Sequence, residues 1–154
     1  MPEKNMEKYE VYKSMNENLS KAMRSEFYYQ AIFIEYAILE DRCSSVLKYA
    51  GIKYRDKAGR DIKVSAKLRK IADNPIFHVP YVRKRLPLEL IMQLTEWKRD
   101  RDNLIHALAK IPYDHDSVKE IAERGQKLIR LFDARVQSVN RYHKKKQEVH
   151  SDGL

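Results

Sequence analysis

From about residue 25 to residue 50, Phe27, Tyr28, Ala31, Ile32, Ile38, Leu39, Cys43, Val46, Leu47 and Ala50 recur at the 3.6-residue spacing of an α-helix. Gly51 follows, where a left-handed residue ends such a helix. A helix this long has a broad apolar face and must bury it against other elements of similar length. The rest of the chain supplies them. Residues 3 to about 20 place Met6, Tyr9, Tyr12 and Met15 in a three-residue rhythm, with a candidate break at Asn16–Ser20 and Ser20 or Ser25 as candidate caps for the next helix. Residues 88 to 110 carry Leu88, Ile91, Leu94, Trp97, Leu104, Ile105 and Leu108, and Pro112 stops them. A last helix starts at Asp114 or Asp116 and runs to about 147, with Ile121, Leu128, Leu131, Phe132 and Val136 on its buried side. A short helix around Val64 to Ala72 sits between a basic loop (52–61) and a segment (75–87) whose prolines, Pro75, Pro80 and Pro87, predict an irregular connection.

Only 4 Gly and 5 Pro punctuate 154 residues. A sandwich or barrel needs many more tight turns. The expectation is an all-α antiparallel bundle of four to five helices, one domain over 1–148 with a flexible tail at 149–154. The longest apolar run, Ala31 to Leu39, is broken by Glu35 and is far too short to span a bilayer. No membrane association is expected. The polar start Met1-Pro2-Glu3-Lys4-Asn5 does not read as a secretion signal. A lone cysteine, Cys43, excludes an internal disulfide and a cysteine-rich zinc site, and reads as a small core residue in a reducing, cytoplasmic protein. The net charge of +9 favours polyanionic partners.

One stretch breaks the apolar periodicity. Between Trp97 and Ala107, six polar residues, Lys98 to Asn103, occupy about a turn and a half of helix before His106. Arg99, Asp102 and His106 fall at i, i+3 and i+7, on one stripe, and Arg101 has the reach to join them. These residue types suit RNA cleavage. The attacking 2′-hydroxyl loses a proton and the leaving 5′-oxygen gains one, and histidine, with an ordinary pKa of about 6.5, serves both ends of that exchange. Arginine meets the charge that gathers on the five-coordinate phosphate with a planar fork. A neighbouring Asp102 or Asn103 can fix the arginine or the imidazole.

The run Trp97-Lys98-Arg99-Asp100-Arg101-Asp102-Asn103-Leu104-Ile105-His106-Ala107-Leu108 resembles the signature of the HEPN superfamily (higher eukaryotes and prokaryotes nucleotide-binding): an Arg, usually followed by a polar residue, then a His after four to six positions, on a late helix of a four- or five-helix bundle. The resemblance implies a metal-independent endoribonuclease of toxin–antitoxin or antiviral-defence type, acting by transesterification at a site shared across a homodimer. It implies RNA as substrate, an antitoxin or defence-system protein as a further partner, and no cofactor. Carried over, Arg101 matches the family arginine, Asp102 the polar follower and His106 the histidine; Arg99 satisfies the longer spacing. The run Tyr36 to Arg42 is similar to a Tyr/Glu pattern on the early helix of some members, which makes Glu40 a supporting candidate. Leu108 stands where some members carry Tyr, which sets this chain apart from the subfamily partnered with nucleotidyltransferases. The alternative is a HEPN-type bundle that binds RNA, a nucleotide or a protein without cutting.

Two basic stretches are candidate RNA contacts: Lys67, Arg69 and Lys70 in the short helix, and Arg141, Lys144 and Lys145 near the end of the last. Tyr54, Tyr81 and Tyr142 lie among basic residues and are candidates to stack on unpaired bases. Asp114-His115-Asp116 reads as a helix cap rather than a metal site, and His143 and His150 carry no expected role.

Overall fold

The computed structural model describes residues 3–108, 110 and 114–152, with side chains among these from residue 6 to residue 150. Four long helices, α1 (Glu3–Arg24), α2 (Tyr28–Tyr49), α5 (Leu88–Ala107) and α6 (His115–Asp152), form the body, with two short ones, α3 (Val64–Asp73) and α4 (Pro80–Arg85), between them. Of the described residues 83% are helical, and among them there is no strand beyond an isolated bridge between Arg55 and Asp61.

The core pair is α2 and α6, and the two run parallel. Tyr28 meets His115 at one end, Asn140 Nδ2 donates to Ser45 Oγ at 3.0 Å along the way, and Gln147 Nε2 donates to the Tyr49 carbonyl at 2.9 Å at the other. Helices adjacent in sequence fold back on each other. Tyr12 of α1 donates to Asp41 of α2, while the α1–α2 turn closes through Phe27 N to the Ala22 carbonyl at 2.8 Å. α3 and α4 stay beside the C-terminal halves of α2 and α6 (Lys67 with Ser44, Tyr81 with Tyr142). α5 runs back antiparallel to α6 and meets its N-terminal half (Trp97 with Ile121, Asp100 with Arg124), so that α6 begins at the same end as α2. Apolar burial is continuous from Leu19 and Ala22 through Ile32, Leu39, Leu68, Phe77, Leu94, Trp97 and Phe132.

Local chemistry explains the end of α2 and the start of α6. Gly51, at φ 75°, takes the left-handed turn after α2, with Ile52 N reaching back to the Leu47 carbonyl at 2.9 Å. Asp114 accepts from Ser117 N at 2.7 Å and caps α6; that bond holds its carboxyl below the usual range.

Four expectations are corrected. Asn16–Ser20 does not interrupt α1, where neighbouring helices hold the segment: Leu19 is fully buried and Ser20 accepts from Arg130. Neither Ser20 nor Ser25 caps α2; its first turn follows Phe27, after a turn with Glu26 at φ 59°. The segment 75–87 is mostly helical, a 3₁₀ turn (Pro75–His78) and α4, each opening on a proline, because the first helical position needs no N–H. α6 continues to Asp152, past the start of the expected tail. Pro112 lies outside the described residues.

Two buried polar groups stand out. Glu35 is fully buried between α2, α5 and α6, and neither carboxylate oxygen has a hydrogen-bond partner. Burial pushes its pKa up to about 9, opposed by the charge of Arg130, so the carboxyl is neutral in the fold at pH 7. Gly125 makes the room: a Cβ there would lie 2.4 Å from Glu35 Oε1 and 2.6 Å from Trp97 Nε1. His143, given no role by its sequence position, is buried edge-on to Phe77, and burial lowers its pKa.

Candidate functional site

The polar stretch of α5 occupies two sides of that helix. Leu90, Leu94, Trp97 and Leu104 mark the buried face. Arg101 lies four residues on from Trp97 and continues this row, so its guanidinium reaches inward and lies over the Tyr36 ring at 3.8 Å. Arg101 Nη1 donates to Asp102 Oδ1 at 2.9 Å, and Lys98 Nζ donates to Asp102 Oδ2 at 2.7 Å. Burial works against the Asp102 carboxylate, but the hydrogen bonds from Lys98 and Arg101 outweigh it and hold its pKa below the usual range. The Tyr36 phenol is pushed up by burial, opposed by the Arg101 charge.

Arg99, Asn103 and His106 face solvent on the other side. At roughly 100° per residue, Arg101 and His106 point about 140° apart around the axis. The expected stripe therefore splits: Arg99 stays with His106, and Asp102 turns to Lys98 and Arg101. Asp100 is drawn to α6 by Arg124 at 2.7 Å. A hollow of about 580 Å³ between α5 and the start of α6 is lined by Asp100, Asn103 and Glu120 among others, and by neither Arg101 nor His106. One copy of the chain thus presents the arginine and the histidine separately. Glu40 is exposed one turn beyond Tyr36 on α2, lines a shallow hollow with it, and its charge acts on the Tyr36 phenol. The early-helix pattern meets the motif helix, with Tyr36 as the residue that touches Arg101. The aromatic–cation pairing is not readable from the sequence, since it depends on how α2 and α5 cross.

The basic candidates divide in the same way. Arg69, Lys70, Arg141, Lys144 and Lys145 are exposed. Lys67 is not: it is fully buried, with Nζ 2.6 Å from Ser44 Oγ and 2.9 Å from Asp61 Oδ2. Its hydrogen bond to Asp61 holds that carboxyl below the usual range. Position 67 follows Val64 on the inward face of α3, so the lysine is an internal tether and is removed from the RNA-contact set. Lys67→Ala is expected to cost about 1–3 kcal/mol of stability, since it strips Ser44 and Asp61 of a shared donor. Arg69→Ala with Lys70→Ala is expected to leave stability within about 0.5 kcal/mol. Thermal melts of the two variants check this contrast.

Two of the three tyrosines, Tyr81 and Tyr142, are corrected too. Tyr81 and Tyr142 stack on each other at 4.6 Å, Arg85 covers the ring of Tyr81 at 3.4 Å and Lys146 lies over Tyr142 at 4.8 Å. Those ring faces are already taken, so these two are not open to unpaired bases. His115 packs against Tyr28 at 5.2 Å, and among the described residues no cluster of His, Cys, Asp and Glu is placed to hold a metal ion. Cys43 is fully buried and burial raises its thiol pKa, in keeping with a core residue. Among the described residues no helix is long and apolar enough to cross a membrane. No family model matches this chain, and no curated protein or solved structure is significantly similar to it.

Proposed function

We propose that this protein is a HEPN-like, metal-independent endoribonuclease of toxin or antiviral-defence type, acting in the cytoplasm as a homodimer whose two α5 helices together make the site. The observation that carries the reading is the state of Arg101. It is an arginine at a core-row position, laid on Tyr36 and tied by Asp102, five residues before an exposed histidine. A guanidinium held this way is ordered before substrate arrives, and Lys98 keeps the local balance positive because it shares the same carboxylate.

The reaction needs a base and an acid. One neutral His106 takes the 2′-hydroxyl proton as the 2′-oxygen bonds to phosphorus. The partner's His106, protonated, gives its proton to the 5′-oxygen as the P–O5′ bond breaks, leaving a 2′,3′-cyclic phosphate. Arg101 steadies the extra charge on the phosphate in between. Arg99, beside His106 on the exposed side, and the cations Arg69, Lys70, Arg141, Lys144 and Lys145 draw the RNA in.

The angle between Arg101 and His106 also favours a second reading, a bundle that binds RNA without cutting it. Mixing variants separates the two. Wild type and His106→Ala are combined in equal amounts and their subunits exchanged. A dimer with a single His106 lacks either the base or the acid, so only wild-type dimers, about one quarter of the total, are expected to cut labelled RNA in chelator. Activity is then expected at about one quarter of the all-wild-type level at equal total protein. Activity at about one half would mean that each copy cuts with its own residues and would overturn the shared site. A wild-type chain that remains a monomer and does not cut RNA leaves only the binding reading.

A further inference from the structure

A second site lies on the C-terminal halves of α2 and α6, where α1 crosses them, apart from the α5 motif. A cavity of about 560 Å³ opens there, within the size range of small-ligand pockets. Its lining includes four cations, Lys8, Arg42, Arg141 and Lys144, against one carboxylate, Asp133.

Arg42 is the key residue. It is only 9% exposed, deep in the wall of the cavity. Its Nε sits 2.7 Å from Asp133 Oδ1, and the Tyr12 ring covers its guanidinium at 3.8 Å. Those contacts hold the planar group in place and leave its terminal amino groups for an anion. A buried arginine is costly unless its donors are used, and a phosphate matches its fork. Tyr12, whose hydroxyl donates to Asp41, is fixed on the other side of the guanidinium.

The mouth has different chemistry. Tyr9 and Tyr49 are 61% and 37% exposed, and neither stacks on another ring among the described residues. Asn16, Gln137 and Asn140 each spend their NH₂ group inside the protein, on the Tyr12 carbonyl, Asp133 and Ser45. The carbonyl oxygens of Asn16 and Gln137 remain as acceptors, while that of Asn140 is buried without a donor. An anion-binding floor, flat aromatic faces and amide acceptors ask for one ligand that is at once anionic, planar and a hydrogen-bond donor.

We infer that this α1–α2–α6 pocket binds a nucleoside phosphate, its phosphate on Arg42 with Arg141 and Lys144, its base between the amides and the Tyr9 and Tyr49 rings. Whether α5 cuts RNA does not bear on this. A free mononucleotide and the phosphorylated end of an RNA chain share the chemistry.

The test is calorimetric titration of the full chain with AMP, GMP, CMP and UMP, with the corresponding nucleosides, and with inorganic phosphate. At least one monophosphate is expected to bind, and its nucleoside and inorganic phosphate to bind at least about tenfold more weakly. Arg141→Glu with Lys144→Glu is expected to weaken the monophosphate by about tenfold or more, and Lys127→Glu, a charge reversal elsewhere on α6, to leave it unchanged. Arg42→Lys keeps a cation for Asp133 but loses the fork, and is expected to weaken binding while the chain still melts cooperatively. A short oligoribonucleotide with and without a 5′-phosphate then names the source: tighter binding of the phosphorylated oligomer than of any mononucleotide supports an RNA end, and the reverse supports a free nucleotide. The proposal fails if no monophosphate binds at millimolar concentration, if inorganic phosphate binds as tightly as the best monophosphate, or if the Arg141/Lys144 and Arg42 variants bind like wild type.

Discussion

His106→Ala is expected to lower the rate of RNA cleavage by about 10²–10⁴ while leaving RNA affinity within about twofold, because a proton carrier is lost but little charge. The side chain is exposed near the end of α5, so its removal opens no cavity and the variant should melt like wild type. Arg101→Ala is expected to be slow as well, for a separable reason: it removes a contact that strengthens as charge develops on phosphorus. Arg101→Lys should recover part of the rate only, since an ammonium cannot lie on Tyr36 and offer two parallel donors. Arg101 also packs, so its variants should lose some stability where His106→Ala does not. Cleavage should persist in chelator, because every proton and charge in the scheme is carried by a side chain. Single-turnover rates and filter binding on the same preparations separate chemistry from affinity. Undiminished cleavage by His106→Ala would show that the activity belongs to another protein in the preparation.

The second large effect is on stability, and Glu35 sets it. Its folded pKa of about 9 lies far above the ordinary carboxyl value of 4.5. Above pH 4.5 the unfolded chain releases this proton while the folded chain keeps it, so folding takes up a proton. The stability that the neutral carboxyl contributes is complete below pH 4.5 and is lost as pH rises through 9. Between pH 6.5 and pH 9 the loss should reach on the order of 3 kcal/mol. Below pH 6.5 His143 acts the other way: its lowered pKa means that the unfolded chain binds the proton more readily, so acid erodes stability there. Glu35→Gln cannot ionise, and its stability should be nearly flat from pH 6.5 to 9 in urea titrations. A slope equal to wild type would assign the pH dependence to other groups. Gly125→Ala tests the same spot by size. On an exposed helix that change gains about 1 kcal/mol; here the methyl collides with Glu35 and Trp97 and should cost about 1–3 kcal/mol.

Much of the bundle was legible residue by residue. The 3.6-residue period places the four long helices, because each must hide an apolar stripe, and Gly51 and Asp114 mark ends through conformations that are local. The α5 motif was legible as well, since six consecutive polar residues inside an apolar period demand a reason. What lay beyond the sequence is whatever depends on how helices face each other. Lys67 and Arg69 look alike as cations in a basic stretch, yet one is buried on Asp61 and the other is exposed. Arg99 and Arg101 both satisfy a motif spacing; only the rotation of α5 against α2 puts one in water and the other on Tyr36. The parallel course of α2 and α6 rests on α5 running back antiparallel to α6, and that course brings Asn140 to Ser45 and Arg42 to Asp133. Helix periodicity is a property of neighbours along the chain, whereas a pocket or an ion pair joins residues tens of positions apart, and its partner is chosen by packing.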